Sequence, residues 1–300
     1  MYEQQLPLWG SGAAPTLGES FEPFRRHMEG KRFAENTIKS FLGDLRILAD
    51  YLGAGVRVSQ ISTDDLNRFL TYLQRERGKP CTPKSFARRL TTLKVFFGWL
   101  AESGVIAVDP AATIAHRPVS TPLPLVLSDA QVESVLAVAQ SLRTAEKPDA
   151  RPYLLVRLLL DTGIKKGECM NIRLEDLSIA DPARATLHVR ATDARYARYK
   201  ERRLALRPDT VAALREYRQQ YQPKEMLFPC TARNLEYVLT DLAKMAGLDA
   251  LSFEMLRMTS ALRDLRDGMD PEHLRLKLGL SKMSWEGTLP KLKQLLESPL

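Results

Sequence analysis

Three prolines within seven residues, Pro118, Pro122 and Pro124, interrupt a chain whose first third reads as helix throughout. Proline lacks an amide hydrogen and clashes with a preceding helical turn, so HRPVSTPLPLVLS (116–128) reads as an extended, stiff connector. The break divides the chain into a helical segment at 19–115, a linker at 116–127 and a longer segment at 128–300. Residues 1–18, rich in Gly, Pro and Ser and without periodicity, read as a flexible arm.

The two segments differ in pattern. In the first, a helix is expected over Phe21–Gly30 and a second from Asn36, read as its N-cap. Phe41, Leu45, Leu48 and Leu52 recur at spacings of 4, 3 and 4, which is one helical face. Ser62-Thr63-Asp64-Asp65 caps a third helix, and Thr82-Pro83 opens a fourth. These elements can close a helical bundle. The second segment is mixed. Ser128-Asp129 caps a helix, and further helices fit 152–162, 166–174, 208–221, 231–246, 253–268 and 271–279. ATLHVRA and ERRLAL have strand character and flank a basic loop, which reads as a hairpin. LPKLKQLLES reads as a short amphipathic helix behind a bent tether, GLSKMSWEGTLP. The expected class is mainly α: a helical bundle, then a mixed α+β domain with a small antiparallel sheet.

Charge bears on partners. Lys and Arg number 44 against 36 Asp and Glu, a net +8, which tilts toward an anionic partner. Two stretches concentrate it. Between Arg77 and Lys94 there is no acid, and Lys84, Arg88, Thr91 and Thr92 fall opposite the apolar stripe Phe86, Leu90, Leu93, Phe97 and Leu100, with Arg89 and Lys94 flanking. RYARYKERR (195–203) carries Arg195, Arg198, Lys200, Arg202 and Arg203, interleaved with Tyr196 and Tyr199. Each stretch alone fits a solvated surface; together they suggest a basic clamp for nucleic-acid phosphates. Cys81, Cys169 and Cys230 are scattered and read as reduced thiols, and the four histidines form no metal pattern. No apolar run reaches membrane-spanning length, so a cytoplasmic, nucleoid-associated protein is expected.

LLLDTGIKKGECMNIRLEDL (158–177) resembles the first box of the tyrosine recombinases, the phage integrase family that includes the Xer type. LSFEMLRMTSALRDLRDGMDPEHLRLKLGLS (251–281) resembles the second box, and HVR…YKERRLAL the lysine-bearing hairpin between them. FAENTIKSFLGDL and PKSFARRLTTLKVFFGWLAESGVIAVDPA resemble the family's core-binding domain. The resemblance implies a SAM-like bundle at 19–115 and a catalytic-type domain at 128–300. It also implies a reaction in which a Tyr hydroxyl attacks a phosphodiester, two Arg hold the non-bridging oxygens, and a Lys and two His-type groups assist. No metal or nucleotide cofactor is implied, because a phosphotyrosyl link stores the bond energy.

The resemblance also locates departures. The first-box Arg falls on Lys165, the hairpin Lys on Ala197 with Arg198 and Lys200 beside it, and the first His on Glu254. Arg257 is retained, Met258 follows it in place of His, and the last His falls on Leu280. The nucleophile falls near Leu289, and no Tyr occurs after Tyr237. Lys keeps charge but lacks the planar fork of Arg, and an anion at 254 repels phosphate. The expectation is a DNA-binding protein with a degenerate site. The implied DNA contacts are Lys84, Arg88, Arg89, Lys94, Lys165, Arg195, Arg198, Lys200, Arg202 and Arg257. Arg257 has a second reading, a buried ion-pair partner of Glu254. Two other functions stay open: an active recombinase with a different nucleophile, and an interaction scaffold without DNA binding. The helix at 289–297 is a candidate contact to a second copy or to a competent recombinase, docking in cis or in trans.

Overall fold

The computed structural model describes residues 14–78, 81–115 and 122–297. It is mainly helical, and the chain divides into two compact units, residues 1–122 and 123–300.

In the first unit, α1 (Phe21–Gly30), α2 (Glu35–Leu52), α3 (Thr63–Arg75) and α4 (Pro83–Glu102) surround one apolar core. The starts of α3 and α4 follow local chemistry. Ser62 and Asp65 form a reciprocal capping box, and Thr82 accepts from the Ser85 amide with Pro83 in the first turn. Asn36 does not cap α2; the helix begins at Glu35 after Ala34, without a side-chain cap. The end of the expected arm is not loose. Leu17 is fully buried, Thr16 bridges to Arg57, and residues 1–13 of the arm lie outside the described residues.

In the second unit, α6 (Arg151–Thr162) is apolar on nearly every side and forms the centre. Before it lies α5 (Asp129–Arg143), started by a Ser128–Gln131 capping box. Around α6 also pack α9 (Pro208–Tyr221), α10 (Ala232–Met245) and α11 (Phe253–Arg266). The expected helix at 166–174 is shorter, α7 (Lys166–Met170), followed by a separate 3-10 turn at Leu174–Asp176. The hairpin of β2 (Thr186–Val189) and β3 (Arg202–Ala205) gains a third strand, β1 (Leu177–Ser178), giving an antiparallel sheet in the order β1-β2-β3. Leu187 pairs with Leu204 on the buried face, and His188 with Arg203 on the other. The loop between β2 and β3 is helical, with a 3-10 turn at Ala194–Tyr196 and α8 (Ala197–Lys200).

The chain end departs most from expectation. After α12 (Pro271–Lys277), one helix, α13, runs over Lys282–Glu297, so the expected tether is itself helical. Its Trp285, Leu292 and Leu295 are buried with Ala261, Leu262, Leu274 and Leu278 of the same chain. Burying each leucine contributes roughly 1.5–3 kcal/mol, enough to carry Pro290 inside the helix at the loss of one backbone hydrogen bond. Of the linker, 116–121 lie outside the described residues; Leu127 is buried, and its amide donates to the Thr259 hydroxyl at 2.9 Å.

Candidate nucleic-acid interface

The turn after α6 organises the site. Gly163 caps the helix in the left-handed region (φ +59°), and a Cβ there would stand 3.0 Å from Leu278. This close turn aims the Gly163 carbonyl at Arg257 on α11. The Arg257 guanidinium donates to the Gly163 carbonyl and, at 2.7 Å, to that of Leu278. Arg257 is 2% exposed, and burial lowers its pKa to about 10. The expected ion pair with Glu254 is absent among the described residues: Glu254 is exposed, and the hydrogen bonds of Arg257 go to backbone carbonyls. This arginine ties the α6 turn to the end of α12.

Beside it lies a second organised arginine. Arg202 on β3 makes a fork-to-fork pair with Glu168 on α7, both contacts at 3.0 Å. Its remaining donors reach the Lys277 carbonyl at 2.6 Å and the Lys200 carbonyl at 2.7 Å. Gly279 (φ +61°) makes room for it, since a Cβ there would sit 2.7 Å from the guanidinium. Arg202 is therefore an internal strut and not a free DNA contact. Glu168 also accepts from the Lys165 amide at 2.9 Å. Burial pushes the Glu168 carboxyl up, but the Arg202 hydrogen bonds and charge outweigh this and hold its pKa below the usual value.

Lys165 precedes α7 and is half-buried. Burial lowers its pKa, and the charges of Arg257, Arg202 and Lys200 add to the effect against Glu168. Neither Lys165 nor Lys200 has an ion-pair partner among the described residues; the Lys200 ammonium sits 4.4 Å over the Tyr196 ring. Both lysines line a cleft of about 590 Å³ between α7 and the sheet. Four cations, Arg202, Arg257, Lys165 and Lys200, thus gather around the half-buried Glu168 and the exposed Glu254, an excess of positive charge that favours an added anion.

The basic face of α4 is organised differently. Asp44, 4% exposed, receives Arg88 at 2.9 Å, Arg89 at 3.3 Å and the Thr92 hydroxyl at 3.1 Å. Arg89 and Thr92 are buried, so they leave the expected surface, while Phe96 and Trp99 join the core beside a half-buried Phe86. Lys84 is exposed, and Lys94 donates to the Ala112 carbonyl at 3.2 Å. In the loop between β2 and β3, Arg195 pairs with its neighbour Asp193 at 2.7 Å, and Arg198 is exposed. Ala197, at the aligned lysine position, begins α8 and carries no functional group. Leu280 and Leu289 both pack against the α11–α13 cluster.

The chain thus joins a helical bundle to a second, mainly helical unit that carries a three-stranded antiparallel sheet and a cationic cluster at the turn after its central helix. Residues 126–284 match the model of the phage integrase family, and residues 21–106 that of the phage integrase N-terminal SAM-like domain. The chain belongs to the phage integrase family. It is 28% identical over 286 residues to tyrosine recombinase XerC of Roseiflexus sp. (strain RS-1), covering 89% of this chain and 87% of that one. It is 28% identical over 301 residues to tyrosine recombinase XerD of Agrobacterium fabrum, covering 92% and 90%. The XerH site-specific recombinase, bound to a palindromic difH substrate, superimposes with a TM-score of 0.72 at 17% identity over 93% of this chain and 83% of that one. The Tn1549 transposon integrase in complex with a circular intermediate DNA does so at 0.71 and 19% identity, over 92% and 95%. At those identities the structural likeness speaks to fold alone.

Proposed function

We propose that this chain binds duplex DNA and does not cut it. The carrying observation is the position where the family resemblance places the nucleophile. Leu289 stands there, on the helix α13 that packs its apolar side into the chain's own core, and the sequence holds no tyrosine beyond Tyr237. The nearby hydroxyls are weak substitutes. Ser281 bonds Ser284 at 3.0 Å, Thr288 donates to the Ser284 carbonyl, and among the described residues none of the three hydroxyls is hydrogen-bonded to a carboxylate or an imidazole. General acid–base groups are worth ~10²–10⁴-fold each, so losing several with the nucleophile leaves no competent route.

DNA binding is supported by the relatives, among them recombinases whose solved structures hold DNA, and by the cations left without internal partners. In the second unit these are Lys165 and Lys200, which have no ion-pair partner among the described residues, and the exposed Arg198, with Arg195 already paired to Asp193; in the first unit Lys84 is exposed, Lys94 bonds the Ala112 carbonyl and Arg88 is partly withheld by Asp44. The role that follows is an accessory or architectural subunit in DNA recombination or integration, acting in the cytoplasm on the nucleoid. No helix among the described residues is long and apolar enough to cross a membrane. A second copy or a competent recombinase is the partner that such a subunit requires, with the outer side of α13 as a candidate contact.

Two assays test the reading. In a mobility-shift titration, six phosphate contacts give a slope of log K against log salt near −5, and binding indifferent to salt between about 50 and 200 mM refutes the clamp. On nicked suicide duplexes no denaturant-stable protein–DNA adduct forms; an adduct on any side chain restores the active-recombinase reading. Absence of binding at low salt favours the scaffold reading instead.

A further inference from the structure

The hairpin carries one titratable pair beside the interface. His188 on β2 and Glu201, which directly precedes β3, meet with His188 Nε2 3.3 Å from Glu201 Oε1. His188 lines the same cleft as Lys165 and Lys200, and Glu201 follows Lys200 in the chain. The other carboxylates of the cleft are matched elsewhere: Glu168 on α7 is held by Arg202 of β3, and Asp176 by Arg190 of β2. Arg173 pairs with Glu175 and Glu225. Arg190 lies near Glu201 as well, but its guanidinium is taken by Asp176 at 2.5 Å and Glu175 at 3.0 Å. Arg203, opposite His188 in register on β3, adds a fixed positive charge, and β1 contributes no charged group. Among the described residues only His188 bonds the Glu201 carboxylate. The charge of the pair therefore turns on one proton: it is −1 with a neutral imidazole and zero with a protonated one. An imidazole changes charge between about pH 5 and 8, whereas phosphodiesters and paired bases do not.

We infer that His188 and Glu201 regulate DNA binding by the second unit through that proton: protonation of His188 cancels the Glu201 charge next to Lys200, and a phosphate is then held more tightly. The inference rests on the DNA-binding reading and adds a pH dependence to it. DNA favours the protonated pair, so binding takes up a proton, and affinity falls as pH rises through the imidazole range. The effect acts through space on an exposed contact, so added salt screens it.

The test titrates one labelled duplex at fixed low salt, at about pH 6 and at about pH 8. The parent should bind about fivefold tighter at the lower pH, the size of one exposed ion pair. His188→Gln keeps a hydrogen-bond donor for Glu201 but takes no proton; its affinity should be the same at both pH values and match that of the parent at the higher one. Glu201→Gln removes the charge that the proton cancels, and at the higher pH it should bind about as tightly as the parent does at the lower. By reciprocity, DNA moves the titration of the His188 ring protons, followed by NMR on the parent, to higher pH, and this carries the decision where a variant fails to fold. A pH dependence that survives in His188→Gln belongs to another group, such as Lys165, and overturns the inference. So does Glu201→Gln binding no tighter than the parent at the higher pH. Equal affinity of the parent at both pH values overturns it too, while leaving duplex binding intact. Binding at neither pH sinks the DNA reading and this inference with it.

Discussion

Two carboxylates, the buried Asp44 and the half-buried Glu168, organise positive charge in this molecule, and they do so unequally. Asp44 in the helical bundle is matched to Arg88 and Arg89, which leaves that cluster at a formal +1. Glu168 in the second unit pairs with Arg202, with Arg257, Lys165 and Lys200 grouped near it and Glu254 acting on Arg257, so four cations against two carboxylates leave +2. The first cluster is closed: its cations bond the carboxylate and the Ser40 carbonyl. The second is open, because Arg202 and Arg257 are held by backbone carbonyls while the two lysines face a cleft. Counting basic residues along a sequence treats both regions as equal surfaces. The carboxylate beneath each decides which one is available to phosphate.

The largest effect that can break this comparison is at Arg257. Arg257→Ala orphans the carbonyls of Gly163 and Leu278 in a buried turn and is expected to cost about 3 kcal/mol, read as a lower urea midpoint. An unchanged midpoint would mean that the guanidinium is not a strut and is free for a ligand.

Next comes the open cluster. Lys165→Gln with Lys200→Gln should reduce the salt slope of DNA binding by about 2, at roughly 0.9 for each phosphate left without its cation, while the urea midpoint stays near that of the parent. A slope that does not move places the phosphates elsewhere and reduces the second cluster to a structural one.

The pH dependence of stability separates the two carboxylates by sign. Folding lowers the Glu168 pKa from its usual 4.5, so its contribution is full above 4.5 and is lost as pH falls through the folded value. Folding raises the Asp44 pKa from its usual 3.8, chiefly by burial, so stability is gained as pH falls through the raised value toward 3.8. Urea midpoints taken from pH 7 to 3 should show the advantage of the parent over Glu168→Gln shrinking below about 4.5, and its advantage over Asp44→Asn growing. The same trend in both variants would erase the distinction between the clusters.

How much of this was legible follows from which signals are local. The caps at Ser62, Thr82 and Ser128 are written in three or four consecutive residues, and those helices start as expected. The box order was legible because each box is contiguous. Asp44 was also readable and was missed: it lies three residues after Phe41 and four before Leu48, on the apolar face of α2, where an acid needs a cationic partner. The Glu168–Arg202 pair was not readable, since 34 residues and a hairpin separate its members. Nor was α13, where Gly287 and Pro290 signal bends and only the burial of Trp285, Leu292 and Leu295 overrides them. A two-residue β1 has too few positions for a period to show.

The smallest expected effect sharpens the comparison most. Arg88 sits on the basic face of α4, and counted by charge alone it is as good a phosphate contact as Lys200. It is 39% exposed, yet its guanidinium already donates to Asp44 at 2.9 Å and to the Ser40 carbonyl at 3.2 Å. Turning to a phosphate would leave the buried carboxylate with Arg89 as its one cation beside the Thr92 hydroxyl, so the gain from the phosphate is offset by the broken ion pair. Arg88→Gln keeps a hydrogen-bond donor for Asp44 and removes the charge. DNA affinity at fixed salt should therefore change by less than about twofold, with a salt slope lowered by well under the roughly 0.9 of a full phosphate contact. Should the slope fall by a full unit, Arg88 leaves Asp44 on binding DNA, and the bundle cluster opens in the complex as the second cluster does without it.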